Sequence, residues 1–290
     1  MKVSELLKKE KPTLSFEFFP PKNADQEAQM FSALSQLAGF KPDFVSVTYG
    51  AMGSNRENAF FWVSEIKKKF GIEPVAHLTC VASSKNEIAR YLEDLKTKRV
   101  ENILALRGDP PQGIKDFVPP ADGFRFAKEL IAFIREKQPQ MCVGAAGFPE
   151  GHIMVPDPAT NIAYLKQKID AGAEYVISQL FFDDRLFFDF TECCRKAGIN
   201  VPIIPGLMPI TSYKQIKKMT ETCGATIPKG LLAELEKHQD EAKAILQIGA
   251  EQTLRQAEEL LKNKVKGLHF FVMNQAEPVA GILGKLQIRN

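Results

Sequence analysis

Residues 74–108 read PVAHLTCVASSKNEIARYLEDLKTKRVENILALRG. Two short apolar runs, PVAHLTC (74–80) and ENILALRG (101–108), enclose a stretch of helical period, KNEIARYLEDLKTK. Strand, helix and strand in that order make a βαβ unit, and its strands lie parallel because the helix carries the chain back to its starting end. The same alternation continues in both directions. LSFEFF (14–19) and FVSVTYG (44–50) precede the unit, and CVGAAGF (142–148), YVISQLFF (175–182), VPIIPGL (201–207) and LHFFVMN (268–274) follow it. Such near-continuous apolar runs suit strands covered on both faces. The segments between them, including ENAFFWVSEIKKKF and TNIAYLKQKIDAG, carry helical period, and the second ends on Gly172, a helix-stop residue.

Eight βα units in series predict an α/β protein whose parallel sheet closes as a (β/α)8 TIM barrel, read here as a single domain over residues 1–290. An open doubly wound sheet is the rival, but no GxGxxG follows the first strand. The interval from about 208 to 267 is too long for one connection, so two or three helices are expected between strands 7 and 8. The chain stops soon after the eighth strand, and allosteric control by a further regulatory domain is not expected.

Composition narrows the function classes. The 290 residues are 44% hydrophobic and 25% charged, with a net charge of +3 from 38 basic and 35 acidic residues. No basic run is interleaved with aromatics, which argues against nucleic acid. No stretch resembles a signal peptide or a membrane span. The five cysteines lack metal-ligand spacing, and the adjacent Cys193 and Cys194 are expected on a helix, one facing in and one out. Histidines 77, 152, 238 and 269 show neither HxH nor HExxH spacing, and there is no GxSxG elbow or Walker loop. A reducing cytoplasm fits these features.

Barrel enzymes place their chemistry at the C-terminal ends of strands. Glu17 interrupts the aromatic run SFEFFPP, where an unpaired charge is costly to bury. His77 and Thr79 lie in the third strand, Asp109 directly follows the fourth, and Gln179 lies in the sixth. Each has a plain structural reading: an outward or networked carboxylate, a satisfied core histidine, an amide bonded to a neighbouring strand. The tripeptide Arg107-Gly108-Asp109 matches an adhesion motif, which chance explains in such a chain. Several polar groups on one rim, two of them carboxylates, point to proton transfer or cation stabilisation.

The blocks SFEFFPPK, FVSVTYGA, AHLTC, ALRGDPP, GFPEGH, LKQKIDAGAEYVISQLFFD and PIIPGLMPI resemble, in order, those of the methylenetetrahydrofolate reductase family, over about residues 14 to 280. The resemblance implies a flavin-dependent reductase of one-carbon metabolism that binds FAD, a folate and NADH or NADPH. It also implies a homo-oligomer, with a partner subunit left open. Carried over by position, Glu17 looks like the general acid and Asp109 like the carboxylate beside flavin and pterin. Thr48, Tyr49, Ala51, His77, Arg107, Gly108, Phe126, Ala127, Phe148, His152, Asn161, Tyr164 and Lys168 fall at nicotinamide- or FAD-contacting positions. Gln179, Gln215 and Gln275 fall at substrate positions.

Those assignments imply a division of labour. Hydride passes from nicotinamide to flavin and then to the one-carbon unit, whose ring must first open to an iminium cation. Glu17 would protonate the departing nitrogen, given apolar surroundings that raise its pKa, and an ionised Asp109 would stabilise the cation. The chain also departs from the family's pattern. Asn161 replaces an Asp, Gln167 a frequent Arg near the diphosphate, Ile153-Met154 a Pro-Glu, Gln275 an Arg, and Met219 an aromatic. Looser flavin retention and a weaker hold on the folate tail are expected, with Lys166, Lys168 or Lys214 as possible electrostatic substitutes. Two other readings are a flavin- or folate-binding subunit active only in a larger complex, and a flavin-free pterin methyl-transferring barrel.

Overall fold

The computed structural model describes residues 1–48, 56–108, 119–155, 157–286 and 288. Eight strands, β1 (Thr13–Phe18), β2 (Phe44–Val47), β3 (Glu73–Thr79), β4 (Asn102–Leu106), β5 (Cys142–Gly147), β6 (Tyr175–Leu180), β7 (Ile203–Leu207) and β8 (Gly267–Phe271), pair in sequence order as a closed parallel barrel. Closure sets β8 beside β1, with Ser15 opposite His269 and Glu17 opposite Phe271. The expected α/β barrel is therefore present. The apolar runs overshoot the strands at several ends. Phe181 and Phe182 follow β6, and Phe181 is buried by stacking on Phe187 at 5.2 Å.

The helices are α1 (Val3–Leu6), α2 (Ala24–Ala38), α3 (Arg56–Phe70), α4 (Lys85–Thr97), α5 (Ala127–Lys137), α6 (Pro158–Asp170), α7 (Asp184–Lys196), α8 (Tyr213–Cys223), α9 (Lys229–Lys237), α10 (Ala242–Lys262) and α11 (Ala276–Leu283). Helix α4 shows how local sequence sets an element. Ser84 and Glu87 form a reciprocal capping box, and Ile88, Leu92 and Leu95 fall on the one buried face. Cys193 is exposed and Cys194 buried on α7, as their adjacency on a helix requires.

Three helices fill the interval before β8. They enclose a core of Leu180, Phe182, Met208, Ile210, Ile216, Leu231, Leu235 and Ile245 above the barrel rim. Helix α10 crosses this rim at Gly249, where an added Cβ would stand 2.0 Å from the Ile210 carbonyl oxygen. A backbone atom cannot turn aside as a side chain can. Gly249→Ala should therefore cost about 2–3 kcal/mol through overpacking, read as a lower midpoint in a thermal melt.

The opposite end is closed by α1. Val3, Leu6 and Leu7 join Phe44, Val75, Leu104, Cys142, Tyr175, Ile177 and Ile204 in one buried cluster. The Val3 N–H donates to Asn102 Oδ1 at 2.8 Å, fastening this plug to the start of β4. The barrel thus has an apolar floor and a polar mouth. Among the described residues, no helix is long and apolar enough to cross a membrane.

Candidate active site

Glu17 points into the mouth, with 13% of its side chain exposed. Parallel pairing sets Ser46 beside it on β2, and barrel closure brings in His269 from β8. Three groups converge on one carboxylate oxygen, Oε2. Ser46 Oγ donates at 3.2 Å, His77 Nε2 lies at 3.2 Å and His269 Nε2 at 3.4 Å. The His77 contact is a charge contact rather than an aligned hydrogen bond, since neither ring nitrogen of His77 has a hydrogen-bond partner among the described residues. Oε1 takes no hydrogen bond among the described residues. His269 is held from behind: its Nδ1 lies 2.9 Å from Ser15 Oγ, and its ring stacks on Phe44 at 6.1 Å.

The electrostatics correct one expectation. Burial does push the Glu17 carboxyl up, as apolar surroundings should, but the charge of His77 and the contacts with His269 outweigh it. The carboxyl is held well below the usual carboxylate range. Glu17 is therefore a carboxylate in the resting protein.

A second group surrounds the end of β5. Lys168 reaches back from α6, donates to the Ala146 carbonyl at 2.5 Å and lies 5.6 Å from the Phe148 ring centroid. Burial pushes its ammonium down to about 8. The His152 ring meets Phe148 edge-on at 4.9 Å. Asn161 is spent on loop structure: Oδ1 accepts the His152 N–H, while Nδ2 donates to the Val155 and Asp157 carbonyls. Phe126 and Tyr164 stand 46% and 51% exposed, apolar surface available to a ligand. Ala127 opens α5, Thr48 follows β2, and Arg107 and Gly108 follow β4, Gly108 with a left-handed φ of 82°. Tyr49, Ala51 and Asp109 lie outside the described residues.

The substrate candidates divide between two clefts. Gln215 and Gln275 line one pocket with Met208, Thr211, Phe271 and Met273. Gln179 lines another, between the loop from Phe148 to Gly151 and the segment from Cys223 to Ala225, its Oε1 accepting the Leu180 N–H.

The family model described as methylenetetrahydrofolate reductase matches residues 2–287. This chain belongs to the methylenetetrahydrofolate reductase family. It is 32% identical over 278 residues to the 5,10-methylenetetrahydrofolate reductase of Escherichia coli (strain K12), covering 95% of this chain and 91% of that one. It is 34% identical over 295 residues to methylenetetrahydrofolate reductase (NADH) 1 of Arabidopsis thaliana, covering 98% of this chain and 50% of that one. The chain thus spans about half the length of the plant relative. A solved structure from Clostridium thermocellum, described as an uncharacterized protein binding two copies of 5-methyl-5,6,7,8-tetrahydrofolic acid, shares the fold with a TM-score of 0.66 and 17% identity, over 98% of this chain and 97% of that chain.

Within this reductase family the departures now have a structural setting. Lys128 on α5 donates to Gln167 Oε1 at 2.7 Å, placing a cation beside the position where a frequent Arg is missing. Lys166, named from sequence as a substitute, is instead paired with Asp170 one turn along α6. Sequence reasoning also missed His269, Ser15 and Ser46. His269 carries the same signal that exposed His77, a polar residue inside an apolar strand run.

Proposed function

We propose that the protein reduces 5,10-methylenetetrahydrofolate to 5-methyltetrahydrofolate, with FAD as bound hydride carrier and NADH as electron donor. The observation that carries this reading is the asymmetry of Glu17, one oxygen held among two imidazoles and a hydroxyl and the other without a hydrogen bond among the described residues. The one-carbon bridge of the folate is no hydride acceptor until one of its two nitrogens leaves, and that nitrogen leaves only when protonated. A ligand filling the mouth expels water, which disfavours the charged carboxylate and favours its protonated form. As Glu17 then gives the proton up, the groups on Oε2 stabilise the carboxylate left behind. Choosing NADH over NADPH rests on the name of the plant relative.

The residues near β5 fit an FAD diphosphate. Lys168 is an ammonium whose charge burial disfavours and whose hydrogen-bond partner among the described residues is one carbonyl, with no anion paired to it among them. Lys128 and Lys168 would hold the diphosphate, with Phe126 and Tyr164 as apolar cover. When bound, the flavin supplies hydride transfer between nicotinamide and folate. Because Lys128 supplies the cation that Gln167 lacks, Lys128→Ala should weaken FAD binding about fivefold, the worth of one partly exposed charge contact. Fluorescence titration of the apoprotein with FAD measures it.

The whole reading is tested by mixing the purified protein anaerobically with NADH and then with methylenetetrahydrofolate while following flavin absorbance. Bleaching followed by recovery is expected. A protein that stays unbleached with FAD and NADH supplied overturns the reading.

A further inference from the structure

The turn between β8 and α11 holds two consecutive residues in the left-handed region, Met273 at φ 49° and Asn274 at φ 58°. Asn adopts that conformation readily, whereas an unbranched apolar side chain such as Met does so only when its surroundings impose it. The imposing contact is visible. Asn274 Oδ1 accepts the Phe19 N–H at 2.9 Å, and Asn274 Nδ2 donates to the Phe19 carbonyl at 2.9 Å. One carboxamide therefore satisfies both backbone groups of a single residue on the far side of the barrel seam. The seam continues below with the Val272 N–H donating to the Glu17 carbonyl at 3.2 Å, and the turn is closed by the Gln275 N–H donating to the Val272 carbonyl at 2.8 Å.

What this clamp joins gives it meaning. On one side it grips the residue two positions after Glu17. On the other, Asn274 is flanked by Met273 and Gln275, which line the pocket that also holds Gln215. The clamp thus fixes the distance between the proton donor and the wall of the substrate pocket. We propose that Asn274 is a positioning residue for the folate half of the reaction, locking the exit of β1 to the left-handed turn after β8 so that Glu17 and the Met273–Gln275 wall address one ligand. This rests on the folate-reducing reading above.

Three variants separate the clamp from the turn conformation. Asn274→Gly keeps the left-handed turn accessible and removes both hydrogen bonds. Asn274→Ala removes the bonds and also disfavours the turn, whereas Asn274→Asp keeps the turn and the acceptor for the Phe19 N–H. In the flavin-loaded protein, Asn274→Gly should raise the KM for methylenetetrahydrofolate about tenfold, leave NADH-dependent flavin reduction unchanged and speed hydrogen exchange at the Phe19 amide. Asn274→Asp should recover part of the KM, and serves as the working variant if the glycine variant does not fold. A glycine variant with wild-type folate KM, or with wild-type Phe19 exchange, overturns the proposal, as does equal loss in both half-reactions. Wild-type protein that never turns over folate overturns the functional reading instead.

Discussion

Glu17→Gln is expected to leave NADH-dependent bleaching of the flavin within about twofold of wild type while slowing folate-dependent reoxidation by roughly 10²-fold or more, the usual worth of a positioned acid. The glutamine keeps the length of the side chain and a carbonyl oxygen for the Ser46 hydroxyl and the imidazoles, but it has no proton to give. Hydride transfer from nicotinamide asks no acid of this cluster, and ring opening does. If Glu17 were a purely structural carboxylate, both half-reactions would fall together or neither would. Stopped-flow absorbance of the two half-reactions reads the difference, and equal losses would sink the assignment.

His269→Leu should act on both activity and stability, and its pH dependence identifies the cause. In the wild type, His77 and His269 hold the Glu17 carboxyl well below its ordinary value of 4.5. A depressed carboxyl contributes stability that is present above the unfolded pKa and is lost as pH falls through the acid range toward the folded one. Leucine removes the imidazole that Ser15 holds in place and leaves a buried carboxylate with one imidazole. The variant should lose about 3 kcal/mol at pH 7, within the range for breaking a buried ion pair. Its carboxyl moves up from the wild-type position, so it accepts a proton at a higher pH than wild type does, and the deficit against wild type is smaller at pH 5 than at pH 8. Denaturant melts at pH 5 and 8 check this, and a deficit independent of pH would reduce His269 to a packing residue. The folate half-reaction should fall with it by about tenfold or more, since the carboxylate left by proton donation loses a stabilising contact.

Much of the barrel was legible because each strand announces itself locally, as an apolar run bounded by helical period. The four-residue plug α1 was not, because one turn of helix has no periodicity to read. Glu17 and His77 were legible as polar residues in apolar strands. Their meeting with His269 was not, since that contact spans 252 residues and exists only because β8 closes against β1. The direction of the Glu17 shift failed for a related reason. Local sequence showed the aromatics that desolvate the carboxyl, and only the closed barrel showed the imidazoles that outweigh them. Lys128 was missed because it lies 39 positions from Gln167, on a different helix.

The apolar floor beneath this cluster imposes an order in time. Val3, Leu6 and Leu7 stop the far end of the barrel, and Phe44, Leu104, Ile177 and Ile204 make the packing below Glu17 mostly apolar, with the Tyr175 hydroxyl and the Cys142 thiol buried among them. Glu17 keeps some exposure at the mouth, so protons are expected to reach it from the same side that a ligand must enter. On the proposed reading, a ligand that seals that mouth cuts the cluster off from the bulk, and the proton spent in ring opening is one taken up earlier. The first turnover after mixing should then depend on the pH at which the mouth was last open.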